Sequence, residues 1–275
     1  MKFTAITSAL LYTSVVFGAR FTEERRARWA KRESVAVTAR SGSSLPRFPV
    51  INSPGTDELE TVNNTNEEYS SNWAGAVLIG SGYKSVTGTF VVPTPKAPTG
   101  GSSSTEYAAS AWVGIDGDTA QNSILQTGVD FYVQNGRVSY DAWYEWYPDY
   151  AYTFSGFGIS AGDTIRTTVT ATSTTAGTAV VENLTTGKKV THSFSGQSRA
   201  LQELNAEWIV EDFSSGGSLV PFANFGTVTF TSNTATTASG SVGPQGATII
   251  DIKQNNKVLT SSSVSGSNVI VQYIG

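Results

Sequence analysis

Two strand-like runs hold the side chains with the most chemistry to offer: Gln126 in Ile124–Asp130 (ILQTGVD) and Glu211 in Asn205–Phe213 (NAEWIVEDF). A glutamate can take and return a proton. A glutamine cannot, but its amide can donate to a developing oxyanion and can hold a water. The sequence contains no cysteine and a single histidine, His192. A Cys/His site is therefore excluded and a Ser/His site can hardly be assembled with His192 alone, so any catalysis leans on carboxylates and amides. His192 shares a strand face with Val190 and Phe194, which reads as a packed structural histidine.

The elements that must position these groups are strands, in which residues two apart share a face. In Trp112–Asp116 one face carries Trp112, Gly114 and Asp116. In Leu125–Val133 it carries Gln126, Gly128, Asp130 and Tyr132. Asp141, Trp143, Glu145 and Tyr147 share a face of Val138–Tyr147, and Glu207, Ile209, Glu211 and Phe213 share a face of Glu207–Phe213. If these faces line one concave sheet, they form a groove with Trp and Tyr walls and carboxylates at its floor, suited to an extended peptide or glycan. Two ordinary readings stand beside this one. Glu211 can be a solvent-facing strand carboxylate, and Asp141 and Glu145 can be exposed acids flanking a packing tryptophan. Glu145 and Glu211 could also form the carboxylate pair of a glycoside hydrolase, and a non-catalytic glycan- or peptide-binding sandwich fits the same faces.

The composition supports strands throughout the body of the chain. Of 275 residues, 27 are glycine and only 15 % are charged, poor material for helices and good material for short strands and tight turns. Eleven alternating runs between Val86–Val92 and Val269–Tyr273, with Asn135-Gly136 as a hairpin turn, predict an all-β fold. The expected architecture is a two-sheet antiparallel β-sandwich of jelly-roll or concanavalin-like form. Asp116-Gly117-Asp118 lacks the continuation of a calcium hand and Gly80-Ser81-Gly82 that of a phosphate loop, so no metal and no cofactor are expected.

The N-terminus differs in character. Met1-Lys2, the apolar run Ala5–Phe17 and the small Gly18 and Ala19 read as a secretory signal peptide over residues 1–18, too short to span a membrane. Residues 19–69 read as a basic propeptide and linker, with a helix over Phe21–Val37, and residues 70–275 as the catalytic domain. Residues 20–47 hold eight basic against three acidic side chains, a net +5, whereas the chain from Ser70 onward holds nine against fourteen, a net −5. A basic leader ahead of an acidic body suggests an intramolecular inhibitor held by charge, released below about pH 4 as carboxylates are protonated. Sequons at Asn63 and Asn183 agree with a secreted, extracellular glycoprotein. A monomer with neither nucleic-acid nor membrane partners is expected.

Seven blocks, in order, resemble the fungal glutamic peptidases, or eqolisins: Ser71–Ala76 (SNWAGA), Ala111–Asp118 (AWVGIDGD), Ile124–Asp130, Tyr140–Pro148 (YDAWYEWYP), Glu182–Gly187 (ENLTTG), Asn205–Phe213 and Val220–Phe225 (VPFANF). The resemblance implies a secreted acid endopeptidase, made as a preproenzyme and insensitive to pepstatin, acting on protein and peptide substrates. It implies catalytic roles for Gln126 and Glu211, and places Trp112, Asp116, Asp141, Trp143 and Glu145 around the substrate. Family members commonly carry disulfides; this sequence departs from them in having no cysteine.

Overall fold

The computed structural model describes Arg40, residues 42–50 and residues 67–275. The expected signal peptide, the helix over Phe21–Val37 and the sequon at Asn63 lie outside the described residues. In chain order the strands are β1 Glu67–Ser70, β2 Trp73–Ile79, β3 Ser85–Val91, β4 Tyr107–Ile115, β5 Ile124–Gln134, β6 Arg137–Tyr147, β7 Tyr152–Thr153, β8 Thr164–Ser173, β9 Ala176–Asn183 and β10 Lys188–Phe194. They continue as β11 Asn205–Glu211, β12 Ser214–Ser215, β13 Ser218–Leu219, β14 Thr227–Thr237, β15 Gly240–Val242, β16 Thr248–Gln254, β17 Lys257–Val258, β18 Thr260–Ser265 and β19 Asn268–Tyr273.

One sheet runs β1-β16-β2-β11-β4-β5-β6-β7 with β17 beside β16; the other runs β10-β9-β8-β3-β14-β19-β18 with β15 beside β14. The expected all-β two-sheet sandwich is what forms. Pairing is antiparallel except at one edge, where β1 runs parallel to β16. Asn135 and Gly136 make the β5–β6 hairpin with φ of 51° and 74°, the left-handed pair that a tight hairpin turn requires.

The alternation read from β5 holds. Leu125, Val129, Phe131 and Val133 turn inward and join Phe90, Val169, Val181 and Phe230 between the sheets. Phe90 meets Phe131 and Phe230 edge-on at centroid distances of 6.5 and 5.4 Å. Each such fully buried side chain contributes about 1.5–3 kcal/mol by leaving water. Trp208 bridges the layers: its Nε1 donates to the Thr87 carbonyl at 2.8 Å, across Gly88, where a Cβ would lie 2.8 Å from the indole. Half-buried His192 stacks on Tyr144 at 3.9 Å, the packed structural role expected for it.

Several expectations need correction. β2 lies outside the expected runs: Trp73–Leu78 is buried on both faces, so its sequence, WAGAVL, shows no alternation. Asp116 and Phe213 lie just beyond the strands that were expected to contain them. Within residues 19–69, expected to be propeptide and linker, residues 42–50 pack on the domain and β1 begins at Glu67. The sequon at Asn183 does not present its acceptor. Asn183 is buried, its Nδ2 donates to Asp163 Oδ2 at 2.8 Å, and its Oδ1 accepts the N–H groups of Thr185 and Thr186 at 3.1 Å. It closes the turn between β9 and β10 and is no place for a glycan.

Candidate active site

The four faces identified in the sequence do share one sheet, and the pairing register arranges them in three rows. The first runs Val77, Glu207, Gly114, Gln126, Glu145 across β2, β11, β4, β5 and β6. The second runs Gly75, Ile209, Trp112, Gly128, Trp143, and the third Trp73, Glu211, Ser110, Asp130, Asp141. Directly paired residues project to the same side, so acids and amides in the outer rows enclose a central row of tryptophans. Two glycines make this possible. A Cβ at Gly128 would sit 2.4 Å from Trp112 Cβ, and one at Gly114 would sit 2.8 Å from the Trp112 ring and 2.5 Å from Glu207 Oε1. Only hydrogen at those positions lets Trp112 lie across the sheet.

Trp112 holds Glu211 in place, its Nε1 donating to Oε2 at 3.0 Å. Gln126 is oriented in the same manner from the far side, its Nε2 donating to Glu145 Oε2 at 3.1 Å. All four side chains are fully buried. Trp143 is fixed through Nε1 to Ser110 Oγ at 3.1 Å. Asp141 stays exposed at the groove's rim. Asp116 departs from its expected substrate-facing place. Its carboxylate accepts the backbone N–H groups of Gln202, Glu203, Leu204 and Asn205 at 2.6–3.3 Å, which ties down the chain entering β11.

A strap made of Arg40 and residues 42–50 occupies this groove. The Ser44 N–H donates to Glu145 Oε2 at 3.2 Å and the Leu45 N–H to Glu211 Oε1 at 3.1 Å. Trp73 Nε1 donates to the Leu45 carbonyl at 2.9 Å, and Asn72 Nδ2 to that of Pro46 at 3.2 Å. Ser43 pairs with Ser214 in the β12–β13 hairpin. Gly42 lies so close that a Cβ there would be 2.3 Å from the Phe213 ring. At one end the Arg40 guanidinium grips Asp130 through Nε and Nη2 at 2.5 and 2.6 Å. Burial works against that charge, but Asp130 outweighs it and raises the arginine's pKa. At the other end Arg47 reaches Asp118 at 2.9 Å and Glu68 at 2.6 Å.

Asn72 and Trp73 are thus parts of the site that the strand faces did not include, and Asp130 and Phe213, already placed on the groove faces by their spacing, gain contacts to the strap. Asp130 carried a usable signal: it is a lone acid in an otherwise uncharged strand, four residues from Gln126 and on its face. Among the described residues no group of three or more His, Asp or Glu is arranged to hold a metal ion.

Burial dominates the electrostatics. It raises Glu145 and Glu207 well above the ordinary glutamate range and Glu211 to about 7. Neither oxygen of Glu207 has a hydrogen-bond partner among the described residues. Burial likewise raises Asp212 to about 8 and Asp251 to about 6. A carboxyl whose pKa is higher folded than unfolded adds stability that is complete below the unfolded value, about 4, and is lost as pH climbs through the folded one. The Tm is therefore expected to be highest near about pH 4 and to fall as pH rises through the values of about 6 and 8 at Asp251 and Asp212. Asp251→Asn, which keeps an acceptor for Thr260 and Ser262, should recover on the order of 3 kcal/mol at neutral pH, roughly 5–10 °C. Calorimetry against pH checks this, and a Tm that rises toward neutrality contradicts it.

The chain is 54 % identical to aspergillopepsin-2 of Aspergillus niger and 44 % identical to scytalidopepsin B of Scytalidium lignicola, each over the whole of both chains. The crystal structure of scytalido-glutamic peptidase with a transition state analog inhibitor superposes with a TM-score of 0.68 at 49 % identity, covering 74 % of this chain and 98 % of that one. Residues 71–273 match the Peptidase A4 family. The chain belongs to that family, and is a glutamic peptidase.

Proposed function

We propose that this peptidase cleaves peptide bonds with a water held between Glu211 and Gln126, and that the strap is an inhibitory segment lying where substrate lies. The observation that carries the reading is the peptide backbone already in the groove, with the Leu45 N–H on Glu211 Oε1. Trp112 occupies the other oxygen, so Oε1 is the one left for a water once the strap departs. The solved relative supports departure. Full-length relatives match the whole chain, whereas the inhibitor-bound structure is matched over 98 % of its length by only 74 % of this one. The start of the family match at residue 71 fits removal of a segment ending near there.

The chemistry follows from the positions. Opening the groove hydrates Glu211 and relieves the burial that raises its pKa, so that its carboxylate becomes available in acid. The carboxylate takes one proton from the water as the water oxygen bonds to the peptide carbonyl carbon. The Gln126 amide, aimed by Glu145, donates to the oxyanion. Glu211 then gives its proton to the peptide nitrogen as the C–N bond breaks, which leaves a carboxylic acid, an amine and the original carboxylate. Membership in a peptidase family decides against the glycan-cleaving pair and the non-catalytic sandwich. Secretion, with the acidic surroundings such a cycle suits, completes the reading.

The strap can be tested through Arg40. Replacing it with glutamine leaves Asp130 buried without its cation, a change that in buried pairs costs about 3–5 kcal/mol. The unprocessed Arg40→Gln chain should mature at least tenfold faster on mild acidification, at higher pH than wild type, as followed by gel and by peptide cleavage. An unchanged rate and onset pH would mean that the strap does not restrain the site.

A further inference from the structure

The strap's two arginines are seated differently from the rest of it. The Arg40 side chain is 1 % exposed. Besides its paired contacts to Asp130, its Nη1 donates to Ser44 Oγ at 3.0 Å, and the guanidinium lies over Trp143 at 4.0 Å and over Phe213 at 4.5 Å. An acid at the base and aromatic faces on the sides make a slot matched to a planar cation. Asp130 is itself braced by Tyr132, whose hydroxyl donates at 3.0 Å. Arg47 is 6 % exposed and fills a second acidic seat. Beyond Asp118 and Glu68, its Nη2 reaches the Tyr69 carbonyl at 3.4 Å, its N–H donates to the Gly117 carbonyl at 3.0 Å, and its own carbonyl accepts from Gln121 Nε2 at 3.0 Å.

Between the two seats lie Ser44 and Leu45, the residues on Glu145 and Glu211. Arg40 precedes Ser44 by four positions, and Arg47 follows it by three. Asp130 and Asp118 belong to the domain and remain when the strap leaves. Asp130 stands in the same row of the sheet as Glu211, and Asp118 keeps a buried oxygen, Oδ2, with no hydrogen-bond partner among the described residues even with Arg47 in place.

We infer that the two arginine seats are substrate subsites, so that the processed enzyme prefers peptides carrying a basic side chain on each side of the cleaved bond, about seven residues apart. This rests on the proposal that the strap lies where substrate lies. Because the two ends of the groove are alike in charge, the preference holds whichever way a substrate chain runs.

The test uses full chain matured in acid and two ten-residue reporter peptides, identical except for Arg or Gln at two positions seven apart. In mild acid the Arg peptide should be cleaved between its arginines with kcat/KM about tenfold to a hundredfold above the Gln peptide. Charge-assisted hydrogen bonds are of that strength. The difference should lie mainly in KM, since the seats hold ground state and transition state alike. Asp130→Asn and Asp118→Asn should each shrink the Arg-to-Gln ratio. Equal kcat/KM for the two peptides, or a ratio that both variants leave intact, overturns the inference while leaving the peptidase reading in place. Cleavage of neither peptide removes both.

Discussion

Replacing Glu211 by glutamine is expected to lower kcat on a fluorogenic peptide by on the order of 10³–10⁴-fold while leaving the fold intact. Glutamine keeps an oxygen for Trp112 Nε1 and fills the same space, but it neither takes nor returns a proton. The variant also separates catalysis from stability. Because burial raises the Glu211 pKa to about 7, the carboxylate costs the unprocessed fold stability at high pH, and a neutral isostere removes that cost. The Tm of the Glu211→Gln chain above about pH 7 should therefore equal or exceed that of wild type. A variant that loses activity together with several degrees of Tm would instead show Glu211 to be a structural residue.

Gln126→Ala should be the next most damaging change, with a loss of about 10²–10³-fold in kcat, the size found when a single oxyanion donor is removed. The loss belongs in kcat, because the interaction forms as charge develops on the carbonyl oxygen; KM should move little. Removing the amide also frees Glu145 Oε2, which Gln126 Nε2 holds at 3.1 Å. Steady-state kinetics on the same peptide decide the matter. An unchanged kcat with a raised KM would demote Gln126 to a substrate contact.

Much of this site was legible in the sequence because strands translate spacing into facing. Period-two reading put Gln126 with Asp130, and Glu207 with Glu211, on their correct faces without knowledge of the sheet order. What it could not supply was neighbourhood. Glu211 and Gln126 lie on β11 and β5, with β4 between them, and 85 residues separate them in the chain. Nothing local to either residue indicates that Gly114 and Gly128 clear the ground between them.

The misses have physical causes too. β2 is buried on both faces and so lost the alternation by which strands are recognised. Asp116 was grouped with the groove by its parity with Trp112 and Gly114, but it leaves the strand at φ 71° and turns to the backbone amides of residues 202–205. Charge asymmetry pointed to a leader held by the acidic domain, yet gave no hint that Arg40 and Arg47 would be buried in specific pairs. Such pairs are screened far less by salt than a diffuse attraction is.

The most direct test of the account is digestion of a denatured protein at about pH 3.5, near the reference carboxyl range, by acid-matured wild type and by Glu211→Gln, each with pepstatin present. Wild type is expected to digest the substrate completely in spite of pepstatin, and the variant to leave it intact. Digestion that pepstatin stops, or that Glu211→Gln carries out at the wild-type rate, would contradict it.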